Sequence, residues 1–255
     1  MQLTVIGSSD AFNSAGRAHS CYWLSGAGTG ELMVDFGATA LHALKRHGKD
    51  PRELAGIAVT HLHGDHVGGF PFLFIDGMFN QIRTGPLSIL GPRGTAAKLD
   101  AIYRAAYPDL VDRPTPFGVT VRELFVGQEA ELLGAMVRGF AADHMEPPEE
   151  PLCLRIRGAD GSVVAFSGDT AMCDGLIAAA QGADLLVAEC TAMRQPAGRH
   201  CTWEDWLPAL SRIGAPRVLL THLNDEVRAR KDELRALAPA GVELGFAEDG
   251  LVLEV

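Results

Sequence analysis

Thr60-His61-Leu62-His63-Gly64-Asp65-His66 places three of the chain's nine histidines and one aspartate within six residues. A β-rich run, 56–59, precedes it, and an apolar segment, 67–78, that reads as a helix follows it. In an extended or turning chain His61 and His63 point the same way. Asp65 and His66, at the start of the helix, swing toward a neighbouring position, so the spacing suits two adjacent cations. Neutral imidazoles with carboxylates suit zinc, and also manganese or iron, so the cofactors expected are two divalent metal ions, zinc first.

Around this stretch the pattern is that of a soluble protein in one domain, 1–255. Of its 255 residues, 47% are hydrophobic and 21% charged, enough to bury a large core. No run of 18 apolar residues exists, and the first residues read as a strand rather than a signal peptide. A membrane span and export are therefore not expected, and the default compartment is cytoplasmic. A net charge of -10 argues against a surface built to embrace nucleic acid. The five cysteines form no Cys-x-x-Cys pair and read as reduced thiols, mostly in the core.

Short apolar or alternating runs predict strands at 3–6, 21–24, 31–34, 56–59, 87–90, 119–124, 136–141, 152–156, 163–166, 185–188 and 217–220, with a closing hairpin over 242–255. Helices are predicted over 39–48, 67–78, 94–106, 172–180, 203–213 and 226–236. The order, strands in runs and then strands alternating with helices, suggests two packed sheets with helices outside. The four phenylalanines between 70 and 79 read as a buried helix face. Trp203 and Trp206 read as core, and His19, His42 and His47 as surface residues.

Three further candidates sit where predicted strands end: His144, Asp169 in Ser167-Gly168-Asp169-Thr170, and His222. An isolated strand-end histidine is more often an ordinary hydrogen-bonded residue and a Gly-Asp-Thr often only a turn. Together with the four of the 61–66 cluster they make seven, which is much harder to read that way. Asp35, in Val34-Asp35-Phe36-Gly37, ends another strand.

On these residues the chain resembles the metallo-β-lactamase superfamily over nearly its whole length. The resemblance implies an α+β fold, a four-layer αββα sandwich, with two metals in a cleft at the sheet edge. It implies His61, His63 and His144 on the first metal, Asp65, His66 and His222 on the second, Asp169 bridging both, and Asp35 supporting a ligand from behind. Two cations clamped by a carboxylate suit in-line attack at phosphorus, with a water between them made hydroxide near neutral pH.

Within the superfamily the likeness is nearest to ribonuclease Z and related phosphodiesterases. It rests on Pro86-Leu87-Ser88-Ile89-Leu90-Gly91-Pro92, on Ala188-Glu189-Cys190-Thr191 and on His200-Cys201-Thr202. In ribonuclease Z the last two read His-Glu-Ala-Thr and His-Ser-Thr, which implies a Glu189-oriented His200 acting on the leaving group. The bland alternative is a surface ion pair on a loop. With Asp65, these two are the residues expected to act in catalysis.

Enzymes of that branch that grip transfer RNA usually carry an extended arm between the counterparts of His144 and Asp169. Here 24 residues lie between them, nearly all used by two strands. Glu146, Glu149 and Glu150 add three carboxylates beside the cleft, expected to repel a polyanion. The function expected first is hydrolysis of a cyclic nucleotide or other small phosphodiester. Ribonuclease Z-like RNA 3′ processing, a thioesterase or lactonase on the same metal pair, and a non-catalytic metal-binding module are the alternatives. The partner expected is a small-molecule phosphodiester, with no membrane, no long nucleic acid, and a second copy in a homodimer left open.

Overall fold

The computed structural model describes residues 1–255. The first sheet contains β1 (Gln2–Gly7), β2 (Cys21–Ser25), β3 (Glu31–Val34), β4 (Leu54–Ala58), β5 (Leu87–Gly91) and β6 (Val119–Glu123). The second contains β7 (Glu129–Leu132), β8 (Ala135–Ala141), β9 (Leu152–Arg157), β10 (Val163–Phe166), β11 (Leu185–Glu189), β12 (Arg217–Thr221) and β13 (Glu243–Phe246). The C-terminal β14 (Val252–Glu254) completes the first, in the order β14-β1-β2-β3-β4-β5-β6, while the second runs from β13 down to β7 in sequence order. In each sheet one half is antiparallel and the other parallel.

The central strands are apolar on both faces because both faces are covered. Leu3, Val5, Leu24, Leu32 and Val34 of the first sheet meet Val137, Leu154, Val164, Phe166 and Val187 of the second between the layers. The alternate residues Ile6, Trp23, Met33 and Ile57 face outward under α1 (Ala40–Arg46), α2 (Gly64–Val67), α3 (Phe70–Ile75) and α4 (Thr95–Ala106). The far side of the second sheet carries α5 (Asp174–Ala180), α6 (Trp203–Ala209), α7 (Asp225–Ala229) and α8 (Lys231–Arg235). Trp206, Leu176, Leu186 and Val218 share a core there, as expected for the tryptophans. These layers make the αββα sandwich. Burying each such aliphatic side chain contributes roughly 1.5–3 kcal/mol.

Four details differ from the sequence reading. The segment 242–255 is no hairpin: β13 pairs parallel with β12, whereas β14 pairs antiparallel with β1, so the chain crosses from one sheet to the other. Leu244 and Phe246 pack outside the second sheet, and Leu251 and Leu253 pack at the inter-sheet core. Each strand thereby covers an otherwise open sheet edge. The strand β7 was not anticipated, because Glu129-Ala130-Glu131-Leu132 is an edge sequence that is half charged. The helix expected over 67–78 is α2 followed by α3 and a π turn at Asp76–Asn80. Pro71 has no N–H with which to carry the first helix onward. Phe70 is buried, while Phe72 and Phe79 are exposed, so only part of the phenylalanine run faces the core. The helix over 226–236 is likewise two, broken at Arg230.

Candidate active site

The parallel halves of the two sheets end at the same rim, where open α/β edges commonly build sites. Asp35 follows β3, the 60–66 stretch follows β4, Asp169 follows β10, Glu189 ends β11 and His222 follows β12. His144 comes from the turn after β8. Asp35 and His222 hold left-handed backbone, at φ 61° and 54°, a cost that surrounding structure must hold in place and that clusters at functional sites. Two glycines let the walls close. A Cβ on Gly37 would fall 1.8 Å from the Asp65 carbonyl oxygen, and Gly168, at φ +57°, turns the chain immediately before Asp169.

The structure brings all seven expected ligands together. The ligand atoms of His61, His63 and His144 lie within 4.8 Å of one another, as do those of Asp65, His66, Asp169 and His222. Asp169 lies between the groups. Its Oδ1 is 3.3 Å from His66 Nε2, and its Oδ2 is 3.7 Å from His61, 3.9 Å from His144 and 3.3 Å from His222, each at Nε2. Asp65 Oδ2 completes the second group, 3.4 Å from His66 and 3.5 Å from His222.

The hydrogen bonds behind these rings fit a metal site. Four imidazoles turn Nε2 inward and each finds an oxygen for Nδ1: Thr60 Oγ1 for His61 at 3.1 Å, Asp35 Oδ2 for His66 at 2.8 Å, the Arg199 carbonyl for His144 at 3.0 Å, and Thr191 Oγ1 for His222 at 2.8 Å. A proton held on Nδ1 leaves the Nε2 lone pair free, the arrangement that metal-binding histidines need. The buried Nε2 atoms of His61, His66 and His222 have no hydrogen-bond partner. Native structures rarely leave such atoms orphaned without an ion or water to satisfy them. Asp35 reaches further than expected. Its carboxylate also accepts from Thr60 N at 2.7 Å and Thr60 Oγ1 at 2.8 Å, so it backs His61 through Thr60 as well as His66 directly.

Without ions the cluster is held by shared protons. Burial alone would lower His66 and His222, but the Asp169 carboxylate, with Asp35 beside His66 and Asp65 beside His222, outweighs it. His66 rises well above the ordinary imidazole range and His222 to about 9. Burial drives His61 well below that range, and its neighbour His66 adds to the effect. Burial opposes ionisation of Asp65 and Asp169, yet both are held far below the usual carboxylate range, Asp65 by the His222 and His66 imidazoles beside its Oδ2 and Asp169 by the charges of His222 and His66.

Glu189 and His200 are not a surface ion pair on a loop. Glu189 is 1% exposed at a strand end; its Oε1 accepts from Thr170 N at 2.6 Å and lies 2.9 Å from His200 Nδ1, and its Oε2 accepts from Thr191 Oγ1 at 2.7 Å. Burial would lower the His200 pKa, but the Glu189 contact reverses the sign and raises it. His200 offers a ring nitrogen within 4.8 Å of the inward-facing atoms of His144 and Asp169. Thr202, accepting from Asp205 N in a capping box, starts α6 just after it.

His19 is buried rather than on the surface; it lies within electrostatic reach of Asp65, His66 and His222, its backbone N–H donates to Thr39 Oγ1, and its Nδ1 has no partner. The carboxylates of the 146–150 loop are also less repulsive than expected, because Glu146 pairs with Arg199 and Glu150 with Arg93. Sequence reasoning missed Thr60, Thr191 and Arg199. The only signal available was a threonine at each of two strand ends and an arginine beside His200.

The family model described as a beta-lactamase superfamily domain matches residues 27–223. Ribonuclease Z of Mycobacterium bovis is 28% identical over 261 residues, covering 93% of this chain and 91% of that protein. Among solved structures, the metallo-beta-lactamase fold protein YhfI from Bacillus subtilis superposes with a TM-score of 0.77 at 23% identity over 99% of both chains. A diphosphatase from the PhnP family superposes with a TM-score of 0.77 at 19% identity, over 100% of this chain and 97% of that one. Such a fold implies divalent metal ions, which the His/Asp cluster fits. The chain therefore belongs to the beta-lactamase superfamily, is similar to ribonuclease Z, and is a hydrolase of the metallo-β-lactamase fold.

Proposed function

We propose that the protein is a phosphodiesterase with two metal ions, acting on a cyclic nucleotide or another small phosphodiester. The observation that carries this reading is the Asp169 carboxylate set between two imidazole groups, with the Glu189-bound His200 at its side. His61, His63 and His144 would hold one ion, Asp65, His66 and His222 the other, and Asp169 both. Bound there, the pair would neutralise charge on the attacking and leaving oxygens of an in-line displacement and supply a nucleophile at neutral pH.

The chain's own residues do the rest. Glu189 keeps the His200 proton on Nδ1 and stabilises the imidazolium, so Nε2 can give a proton to the departing alkoxide. Asp35, Thr60, Thr191 and the Arg199 carbonyl fix the ring orientations before substrate arrives. Substrate size is limited by the chain between His144 and Asp169. Beyond β9 and β10 it consists only of residues 145–151 and 158–162 with 167 and 168, too short for an arm that would grip a folded RNA.

Bis(p-nitrophenyl) phosphate and p-nitrophenyl butyrate, each with and without chelator, test the reading. Chelator-sensitive turnover of the phosphodiester well above that of the butyrate ester is expected. The reverse preference would favour a carbon-ester hydrolase, and cleavage of precursor transfer RNA ahead of cyclic nucleotides would favour RNA processing.

A further inference from the structure

Beside His63 lies a cavity of about 400 Å³, a size suited to a mononucleotide and in the range of small-molecule sites. Its walls are Leu62 and His63, Arg93 just before α4, Ala97 and Lys98 in the first turn of α4, and the loop carrying Met145, Pro148 and Glu149. Leu62, Ala97, Met145 and Pro148 make the surface largely apolar, and a methionine thioether packs well on an aromatic ring.

The charges are arranged unevenly. Glu146 is bound to Arg199, which also lies 3.5 Å from Asp143, and Glu150 is 3.5 Å from Arg93, whose guanidinium covers the Phe125 ring. These pairs tie the 143–150 loop to both walls of the cleft. Glu149, between them in sequence, has no cationic partner and lines the cavity, as does Lys98, which has no anionic partner either. Glu149 is exposed at the mouth of the pocket, so its carboxylate, paired with no cation of the chain, is free to accept from a ligand seated on the apolar wall. Lys98 and Arg93 keep the pocket from being net negative, so a phosphate ester at the metal groups is not driven away.

We propose that this cavity is the base subsite of the enzyme, taking a nucleobase that carries an exocyclic amino group, with the ring against Leu62, Ala97 and Met145 and the amino group donating to Glu149. The inference rests on the phosphodiesterase reading for the position of the phosphate, but apart from His63 the subsite is built by residues outside the His/Asp cluster.

The test compares adenosine 3′,5′-cyclic monophosphate with the purine riboside analogue that lacks only the amino group. It measures hydrolysis and, separately, calorimetric binding of the two 5′-monophosphates to the metal-loaded protein. The native protein should favour the adenine compounds by about tenfold, the effect of one hydrogen bond to a partly exposed charged group. Glu149→Ala should bring that ratio near one through KM rather than kcat. Ala97→Trp, which fills the cavity from an exposed helix position, should weaken both nucleotides about tenfold or more. Equal handling of the two bases by the native protein, or a ratio unmoved in Glu149→Ala, overturns the proposal. Discrimination in binding with no hydrolysis of either compound would uphold the subsite and overturn the phosphodiesterase reading instead.

Discussion

Asp35→Asn isolates what the buried carboxylate does for the metal groups. Asparagine has the same shape and tolerates the left-handed backbone at this position, so the fold should survive. Its carbonyl can keep the bond to Thr60 N, which places an NH₂ where Oδ2 accepted from His66 Nδ1 and Thr60 Oγ1, both at 2.8 Å. Two donors then face each other at His66. The relief available is to move the imidazole proton to Nε2, the nitrogen that points at Asp65 and Asp169 from 3.4 and 3.3 Å. One charge-assisted hydrogen bond contributes about 1.5–3 kcal/mol, so affinity for the ion on the His66 side should fall roughly ten- to hundredfold. Competition against a chromophoric chelator reads both binding constants, and circular dichroism checks the fold. Two constants within about threefold of the native values, in a folded variant, would refute the tautomer argument.

His200→Ala should keep both ions and lose on the order of 10²-fold in turnover of cyclic nucleotides, but much less on nitrophenyl esters, whose leaving group departs unaided; equal losses, or loss of an ion, would contradict its role as proton donor. Thr191→Val removes the acceptor for His222 Nδ1 and a donor to Glu189; metal affinity should fall about tenfold, and an unchanged affinity would show that His222 needs no such support. In the metal-free protein the raised pKa values of His66 and His222 contribute stability that is complete below about pH 6.5, and the His222 part is lost as pH rises through about 9. Ions displace those protons, so the rise in melting temperature on adding metal should be larger at pH 9 than at pH 6; scanning calorimetry showing the opposite order would rule this out.

The gathering of the seven candidate ligands was legible because metal chemistry restricts residue type and spacing together. His61 to His66 carry both in one short stretch, and His144, Asp169 and His222 each follow a run of strand residues. The two packed sheets were legible from the order of the elements, strands in runs and then strands alternating with helices, and the four-layer sandwich from the family resemblance. The supporting hydrogen bonds were not, because Thr60, Thr191 and the Arg199 carbonyl are common groups that acquire a role only through neighbours distant in sequence. The burial of His19 depends on the same long-range packing. The ends of the chain misled for a related reason: two short β runs separated by five residues look like a hairpin, and only the open edges of two different sheets decide otherwise. Among the carboxylates of 146–150, sequence gave three equal charges, whereas tertiary pairing leaves Glu149 alone.

Hydrolysis that needs two ions makes turnover depend steeply on metal equivalents. Metal-free protein titrated with zinc or manganese, with turnover of a cyclic nucleotide followed at each addition and metal content measured in parallel, should show little activity up to one ion per chain, a steep rise between one and two, and a plateau at two. Full activity at one ion per chain, or no phosphodiester hydrolysis with two bound, would contradict it.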